Sequence, residues 1–162
     1  MIETQPRELS YVIDPPVLAP ELRAIKDYWD KKRGARAMPR RADIDPLELR
    51  AHLPYLGLVD VLKDGYDFRF RLLGTEFARL FGRDSTGRTV REVYTAGDPD
   101  ILHWMLDSYL CVVRSKRPVL RLGSVCAVGK DFIATQGLNM PLSEDGERVN
   151  MIFGRTVFRI ET

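Results

Sequence analysis

The stretch of sequence that decides the fold runs from residue 70 to residue 93 and reads FRLLGTEFARLFGRDSTGRTVREV. Its first residues continue an alternating apolar pattern, which predicts the end of a β-strand. Thr75 is suited to cap a short helix with one apolar side, and Gly82 is suited to end it. The remainder holds Gly87 and is predicted to be irregular, with one helical turn near residues 88–93. The stretch therefore predicts a strand that leads into short helices.

A β-hairpin precedes this stretch. Residues 55–62 are apolar and β-branched, and residues 67–73 alternate between apolar and basic side chains. Both patterns predict strands. The connection Lys63-Asp64-Gly65-Tyr66 contains an Asp-Gly pair, which is a strong hairpin signal.

One long helix and three strands follow the stretch. Asp98-Pro99 is typical of a helix start, and a broad apolar face extends from there to about Ser115. Strands are predicted at residues 119–128, 132–141 and 149–160, with tight turns at residues 128–131 and 143–147. Strands in two blocks around helices predict an α+β fold, in which an antiparallel sheet packs on helices.

The N-terminal third of the chain is predicted to precede this core. Its first residues are rich in proline and predict an extended arm with a short strand at residues 9–13. Asp45-Pro46 predicts a second cap-then-proline helix start, with a short helix that ends before Pro54. The predicted organisation is an arm over residues 1–19, a helical extension over residues 20–53 and a core over residues 54–162.

The first helix is predicted from Pro20 to about Arg36. On this helix Leu22, Ile25 and Trp29 form a narrow apolar stripe. Such a stripe fits a helix that lies on the domain, and it also fits one that pairs with its copy in a dimer.

The composition is that of one globular domain. The chain has 162 residues, of which 44% are hydrophobic and 30% are charged. No apolar run approaches the about 20 residues that a membrane span needs. The N-terminus lacks the basic head and apolar stretch of a secretory signal, and Cys111 and Cys126 make no disulfide framework. We therefore expect a cytoplasmic protein without a membrane partner.

The charge gives little support for a nucleic-acid partner. The formal net charge is only +2, although a basic run extends from Lys31 to Arg41. We expect Asp43 and Asp45 to pair with Arg40 and Arg41, which leaves less free charge in the run. No aromatic residues alternate with these cations as they do in single-strand binders.

The order of elements resembles that of a PAS domain. That fold is a five-stranded antiparallel sheet in which a hairpin leads into short helices, then one long helix, then three strands. PAS domains carry a glycine at the end of a short helix, a Gly-Arg or Gly-Lys step and a closing hydrophobic residue. Gly82, Gly87-Arg88 and Val90 occupy these places.

The N-terminal part resembles one bacterial PAS family in particular. The matching residues are Tyr28-Trp29, Arg33-Gly34, the run Pro39-Arg40-Arg41-Ala42-Asp43-Ile44-Asp45-Pro46, and Leu53-Pro54. The family is mostly alphaproteobacterial, and its PAS domain often stands alone. The resemblance covers residues 22–159, and it implies a module with its long and short helices on one face of the sheet.

The resemblance implies a sensor or an interaction module. PAS domains bind small ligands between sheet and helices, or pair with other proteins through the sheet face and the N-terminal helix. We predict a homodimer that forms through Leu22, Ile25, Trp29 and Arg33 and docks to a signalling partner. The alternative is a small-molecule sensor, and a second alternative is a small α+β enzyme, for which no acid–base pair suggests itself.

A ligand pocket would lie between the long helix and the sheet. Large apolar residues with a few polar groups are typical of such pockets, although the same residues also fit a solid core. Gln136 is the most informative of them, because a buried amide needs a hydrogen-bond partner. The candidate lining residues are Trp104, Met105, Tyr109, Phe132, Gln136, Met140 and Phe153.

No residue pattern predicts catalysis, a metal or a cofactor. The chain has no nucleophile elbow, phosphate loop or dinucleotide fingerprint. His52 is expected to stabilise a helix end, and His103 to be a surface or packing residue rather than a haem ligand. The region before the long helix has no cysteine for a flavin adduct, since Cys111 and Cys126 lie in other elements. The scattered His and Cys residues have no zinc spacing.

Overall fold

The structure is a computed structural model that describes residues 9–127 and 130–161. The predicted turn at Val128 and Gly129 and the first eight residues of the arm lie outside the described residues. The helices are α1 (Pro20–Arg33), α2 (Thr75–Phe81), α3 (Val90–Tyr94) and α4 (Pro99–Ser115). The strands are β1 (Ser10–Ile13), β2 (Leu56–Leu62), β3 (Asp67–Leu73), β4 (Val119–Ala127), β5 (Lys130–Leu142) and β6 (Met151–Glu161).

The sheet is antiparallel and has six strands in the order β1-β4-β5-β6-β2-β3. The α+β class is confirmed, and the strand count is one higher than the five that the resemblance implied. The sixth strand is the short strand of the N-terminal arm, which pairs with β4 from Ser10 opposite Leu122 to Ile13 opposite Val119. The arm therefore extends the sheet beyond the five strands of the core.

The helix boundaries follow local signals in the sequence. The helix α1 ends earlier than predicted because Gly34 has a φ of 59°, a conformation that glycine adopts without steric cost. The helix α4 begins where predicted, and the carboxylate of Asp98 accepts the backbone N–H of Asp100 at 2.9 Å. The short helix predicted after Asp45 is instead two 3₁₀ turns, Pro46–Leu49 and Leu53–Tyr55.

The two faces of the sheet carry different helices. The long helix α4 packs against β3, β4 and β5, and we call that side the α4 face. The helix α1 packs against β6 and covers the opposite side, the α1 face. Glu21 of α1 is an electrostatic neighbour of Arg155 on that face. Side chains alternate between the two faces along each strand.

The apolar stripe of α1 packs within the chain. Leu22 and Ile25 are completely buried, and Trp29 is 3% exposed. The indole Nε1 of Trp29 donates a hydrogen bond of 3.0 Å to the carbonyl oxygen of Pro141 at the end of β5. The helix therefore lies on its own domain, which is one of the two arrangements that fit such a stripe. The three side chains are already covered, so they offer little surface for a second copy.

The basic run from Lys31 to Arg41 is partly neutralised by neighbouring carboxylates. Arg36 pairs with Asp43 at 2.8 Å, and Lys32 pairs with Glu48 at 2.8 Å. The predicted pairing partners differ from those observed, because Asp43 accepts the backbone N–H of Arg40 rather than its side chain. Asp45 instead caps the turn that follows it, where it accepts the backbone N–H of Leu47. The helices within the described ranges are all too short or too polar to span a membrane.

Candidate functional site

A cavity of about 410 Å³ lies between the α4 face of the sheet and the helices α2, α3 and α4. Its volume falls in the range of small-molecule pockets, which is about 300–1,000 Å³. Most of its wall is apolar, and Phe158 of β6 forms edge-to-face contacts with Phe77 and Phe81 of α2 at ring distances of 5.3 and 5.9 Å. The other apolar lining residues are Val59, Phe70, Leu73, Ile101 and Met105.

Three glycines on neighbouring strands form the floor of the cavity. They are Gly57 of β2, Gly137 of β5 and Gly154 of β6. Gly57 lies directly opposite Gly154, and Gly154 lies directly opposite Asn139. A Cβ atom at Gly154 would lie 2.5 Å from Oδ1 of Asn139, which leaves no room for any larger residue. The cavity is open because these positions on the sheet carry no side chain.

Arg121 of β4 supplies a buried positive charge to the cavity. Its side chain lines the cavity, and the residue is only 9% exposed. Its Nε donates a hydrogen bond of 2.8 Å to Oγ of Ser108 on α4. Its Nη2 is buried and has no hydrogen-bond partner among the described residues. The guanidinium can therefore donate a further hydrogen bond from Nη2 to an acceptor in the cavity.

Aromatic rings hold this guanidinium in place. The Cζ of Arg121 lies 4.2 Å from the ring centroid of Tyr109 and 5.4 Å from that of Trp104. The Nε1 of Trp104 donates a hydrogen bond of 2.9 Å to the carbonyl oxygen of Ser10 in β1. Gly123 makes space for this indole, since a Cβ there would lie 2.7 Å from the Trp104 ring. The cation is thus fixed by α4 and indirectly by the N-terminal strand.

Further polar groups surround the arginine. Tyr94 at the end of α3 lines the cavity, and burial raises the pKa of its phenol, with the neighbouring Tyr109 adding to the shift. The phenol is therefore held in its neutral, hydrogen-bonding form. Thr135 and Asn139 of β5 line the floor and are also buried. The site thus combines one buried cation, neutral polar groups and a large apolar wall, and its lining also includes the exposed residues Arg83 and Asp98.

The structure brings together only some of the residues predicted to form a pocket. Trp104, Met105 and Tyr109 of α4 line the cavity. The lining residues of β5 and β6 are odd-numbered in the first strand and even-numbered in the second, whereas Gln136, Met140 and Phe153 occupy the alternate positions. These three residues therefore belong to the α1 face. The side chain of Phe132 lies outside the described residues.

Sequence reasoning missed Arg121 and the glycine floor. A signal for Arg121 was present, because it stands alone among apolar residues in the strand segment Val119-Leu120-Arg121-Leu122. A charged residue in such a segment is unusual, since arginine is seldom buried without a partner. The glycines gave no comparable signal, because a glycine in a strand also fits a bulge or a close backbone approach.

The histidines and the described cysteine lie away from the cavity lining. His103 is exposed, and His52 follows a 3₁₀ turn near Arg155. Cys111 is half-buried on α4, and burial raises the pKa of its thiol. His52, His103 and Cys111 are therefore not among the residues that line the cavity, where a haem ligand or a flavin-reactive cysteine would lie. Among the described side chains, no cluster of His, Cys, Asp or Glu could hold a metal ion. The predictions about haem and flavin stay predictions.

Two solved structures have the same fold as this chain. One is an RNA-binding Light-Oxygen-Voltage receptor, with a TM-score of 0.57 and 16% identity over 94% of this chain and 38% of that protein. The other is the PAS domain of BvgS from Bordetella pertussis, with a TM-score of 0.54 and 19% identity over 71% of this chain and 83% of that one. At these identities the likeness establishes the fold alone.

The comparison with curated proteins gave no match. The family comparison gave one, the PAS domain family PAS_5, whose model matches residues 17–157. The match includes α1, all the helices around the cavity and nearly all of the five core strands, so it spans most of the chain. This chain belongs to the PAS domain family.

Proposed function

We propose that this chain is a bacterial sensory module that binds a small molecule in the cavity on the α4 face. Membership of the PAS domain family supports a sensory or signalling role. The finer assignment is carried by one observation, the cavity of about 410 Å³ with a glycine floor and a buried arginine. Protein interiors are otherwise close-packed, so an open space of this size with a polar group in its wall favours a ligand over a solid core.

Trp104 provides a route by which ligand binding in the cavity can change the conformation of the protein surface. Its indole forms part of the cavity wall and is hydrogen-bonded to Ser10 of the edge strand β1. Tyr11, Val12 and Ile13 of the same strand are exposed apolar residues. A ligand that prefers one position of Trp104 would shift the population of β1 conformations, which requires a difference in affinity between the two states. A signalling partner that binds β1 would then respond to the change in its conformation.

The test is native mass spectrometry of freshly purified protein, together with an absorbance scan of the same sample. We expect a mass excess that disappears on denaturation and that identifies the class of ligand. Gly57→Phe should abolish this excess, because its side chain would extend from the floor into the cavity. A Cβ at Gly57 makes only ordinary contact with Leu73 at 3.5 Å, so the strand should tolerate the substitution.

The matched control is Leu72→Phe, which introduces the same ring at an exposed position of the neighbouring strand. This variant should keep the mass excess. Gly57→Val serves as the smaller cavity-filling variant, and circular dichroism reports whether each protein folds. A colourless, unliganded protein whose melting is unchanged by added small molecules would contradict the proposal and favour the interaction module.

The homodimer stays a prediction, and the same mass spectra measure it directly. The stripe of α1 is buried within the chain, so a dimer would need another surface. Arg33 remains partly exposed beside Trp29, with its guanidinium 5.7 Å from the indole ring and paired with Asp30. No observation on the described residues favours the enzyme alternative.

A further inference from the structure

The positive charge of Arg121 has no negative partner among the residues that the structure describes. Ion pairs occur at many surface arginines of this chain, but no carboxylate of the described residues lies within 4.0 Å of the Arg121 guanidinium. Its side chain instead donates a hydrogen bond of 2.8 Å to the neutral hydroxyl of Ser108. The residue is only 9% exposed, so bulk solvent screens its charge poorly.

Such a charge is expensive to bury. Arginine remains protonated in proteins, so it does not escape the cost by losing its proton. The rings of Tyr109 and Trp104 offset part of the cost through cation–π contacts. The unpartnered Nη2 shows that the remaining hydrogen-bonding capacity is not used within the described part of the protein. A group that enters the cavity with a negative charge would complete this site.

Asp98 also lines the cavity but lies at a distance from the arginine. Asp98 is the N-cap of α4, where its carboxylate binds the backbone of Asp100. Ser108, which binds Arg121, is ten residues further along the same helix, or about 15 Å at the helical rise per residue. The two charges therefore belong to different ends of the cavity wall.

We propose that the ligand of this cavity carries a carboxylate that binds Arg121, attached to an apolar aliphatic or aromatic body. This inference rests on the proposed function and specifies the class of ligand. A guanidinium matches a carboxylate in geometry and charge. Arg83 also lines the cavity but is exposed, so Arg121 is the buried cation among the described lining residues. One buried cation matches a monoanion better than a phosphate dianion, and the wall of Phe70, Phe77 and Phe158 fits an apolar body.

The arginine is positioned for this role before any ligand binds. Oγ of Ser108 accepts from Arg121 and donates to the carbonyl oxygen of Met105 at 3.1 Å, so the hydroxyl is fixed in orientation. The ring of Tyr109 supports the face of the guanidinium. Preorganisation of this kind increases affinity because little side-chain freedom is lost on binding.

The experiment compares acids with their primary amides by isothermal titration calorimetry. The probes are octanoate and octanamide, 4-phenylbutyrate and 4-phenylbutanamide, and indole-3-acetate and indole-3-acetamide. Each amide keeps the size and shape of its acid but has no charge. We expect the wild-type chain to bind the best acid at least about tenfold more tightly than its amide.

Two arginine variants identify the residue that is responsible. Arg121→Gln should remove the preference for the acid, because the side chain stays polar and loses its charge. Arg155→Gln makes the same change to the buried arginine of the α1 face and should keep the preference. Circular dichroism confirms that each variant is folded before titration.

The outcomes separate this inference from the proposed function. If acid and amide bind the wild-type chain equally, or if Arg121→Gln keeps the preference, the carboxylate inference is overturned and the sensory cavity stands. If no probe binds and the purified protein carries no extractable small molecule, both are overturned. A neutral molecule extracted from the purified wild-type protein would overturn the inference alone.

Discussion

Arg121 and Arg155 are two buried arginines on opposite faces of one sheet. They are 9% and 7% exposed, and each lies over a tyrosine ring, at 4.2 Å from Tyr109 and 4.9 Å from Tyr55 respectively. Arg155 lies on the face that α1 fills, where Glu21 is an electrostatic neighbour and where burial lowers the pKa of the guanidinium. Arg121 lies on the face that holds the cavity, where it has no acidic partner among the described residues. Arg155 forms no ion pair within 4.0 Å with a described carboxylate either, and its Nε, like Nη2 of Arg121, is buried without a hydrogen-bond partner among the described residues. The two arginines therefore differ in that Arg121 borders the cavity and Arg155 does not.

The difference arises from alternation along the strands. In β5, Leu138 and Met140 are completely buried and face α1, whereas Gly137 and Asn139 line the cavity. Large side chains on one face make a close-packed layer, and small ones on the other face leave space. The α1 face is thus close-packed, whereas the α4 face holds the cavity.

The largest effect is expected for Trp29→Ala on the α1 face. The indole is 3% exposed and hydrogen-bonded to Pro141, and truncation of such a buried aromatic residue costs about 3–5 kcal/mol of stability. Urea unfolding followed by circular dichroism measures the loss. Trp104→Ala on the other face should cost less, because this indole already borders an open cavity.

Trp29→Phe is the control for the hydrogen bond, since it keeps most of the packing and loses only the indole N–H. It should retain most of the stability of the wild-type chain. A loss below 1 kcal/mol for Trp29→Ala, or a loss of stability that follows dimer dissociation, would contradict packing within the chain.

A smaller effect of opposite sign is expected for Arg121→Met. Replacing a buried ion pair by apolar residues of similar volume is often neutral or stabilising, by about 1–4 kcal/mol, and a buried charge without a counter-ion gives up no ion-pair attraction when it is replaced. The ligand-free Arg121→Met protein should therefore have a higher free energy of unfolding than the ligand-free wild type. Urea unfolding after removal of small molecules by reversible denaturation makes this measurement.

The effect of a bound acid on stability is the control for Arg121→Met, and it is measured on both proteins with and without octanoate. Bound acid should raise the stability of the wild-type chain and leave Arg121→Met unchanged. A ligand-free Arg121→Met protein that is less stable than wild type would show that the charge is already compensated inside the protein.

The sequence was sufficient for the order of elements because the deciding signals are local. Asp98-Pro99 begins α4 where predicted, and Gly34 ends α1 close to the predicted position. The Asp-Gly connection of the hairpin also occurs as predicted, with positive φ angles at Asp64 and Gly65. Each of these features depends on residues that are adjacent in the chain.

The site depends on contacts that local patterns do not encode. Arg121 meets Ser108 across 13 residues, and Trp104 meets Ser10 across 94. A strand pattern shows that side chains alternate but does not show which set faces which helix. Because apolar residues are typical of pockets, the sequence predicts that the apolar set with Met140 and Phe153 lines the pocket. In fact the cavity lies over the set that contains glycine, threonine and asparagine.

The smallest effect is a pH dependence that arises on the α1 face. Burial lowers the pKa of His52 below its usual 6.5, and the positive charge of Arg155 lowers it further, while Glu21 opposes the shift. Its Nδ1 is buried and has no hydrogen-bond partner among the described residues. Between the lowered pKa and 6.5 the unfolded chain binds more protons than the folded one, so stability falls as the pH decreases through this window.

Arg155→Met should weaken this dependence, because it removes one cause of the lowered pKa of His52. The change on the opposite face, Arg121→Met, should leave the slope of stability against pH as it is in the wild-type chain. Urea midpoints measured between pH 8 and about pH 5 give the slopes, and NMR titration of the His52 ring gives its pKa directly. A His52→Gln protein with the wild-type slope would assign the dependence to other groups. A slope altered by Arg121→Met would show that the sheet does not separate the electrostatics of its two faces.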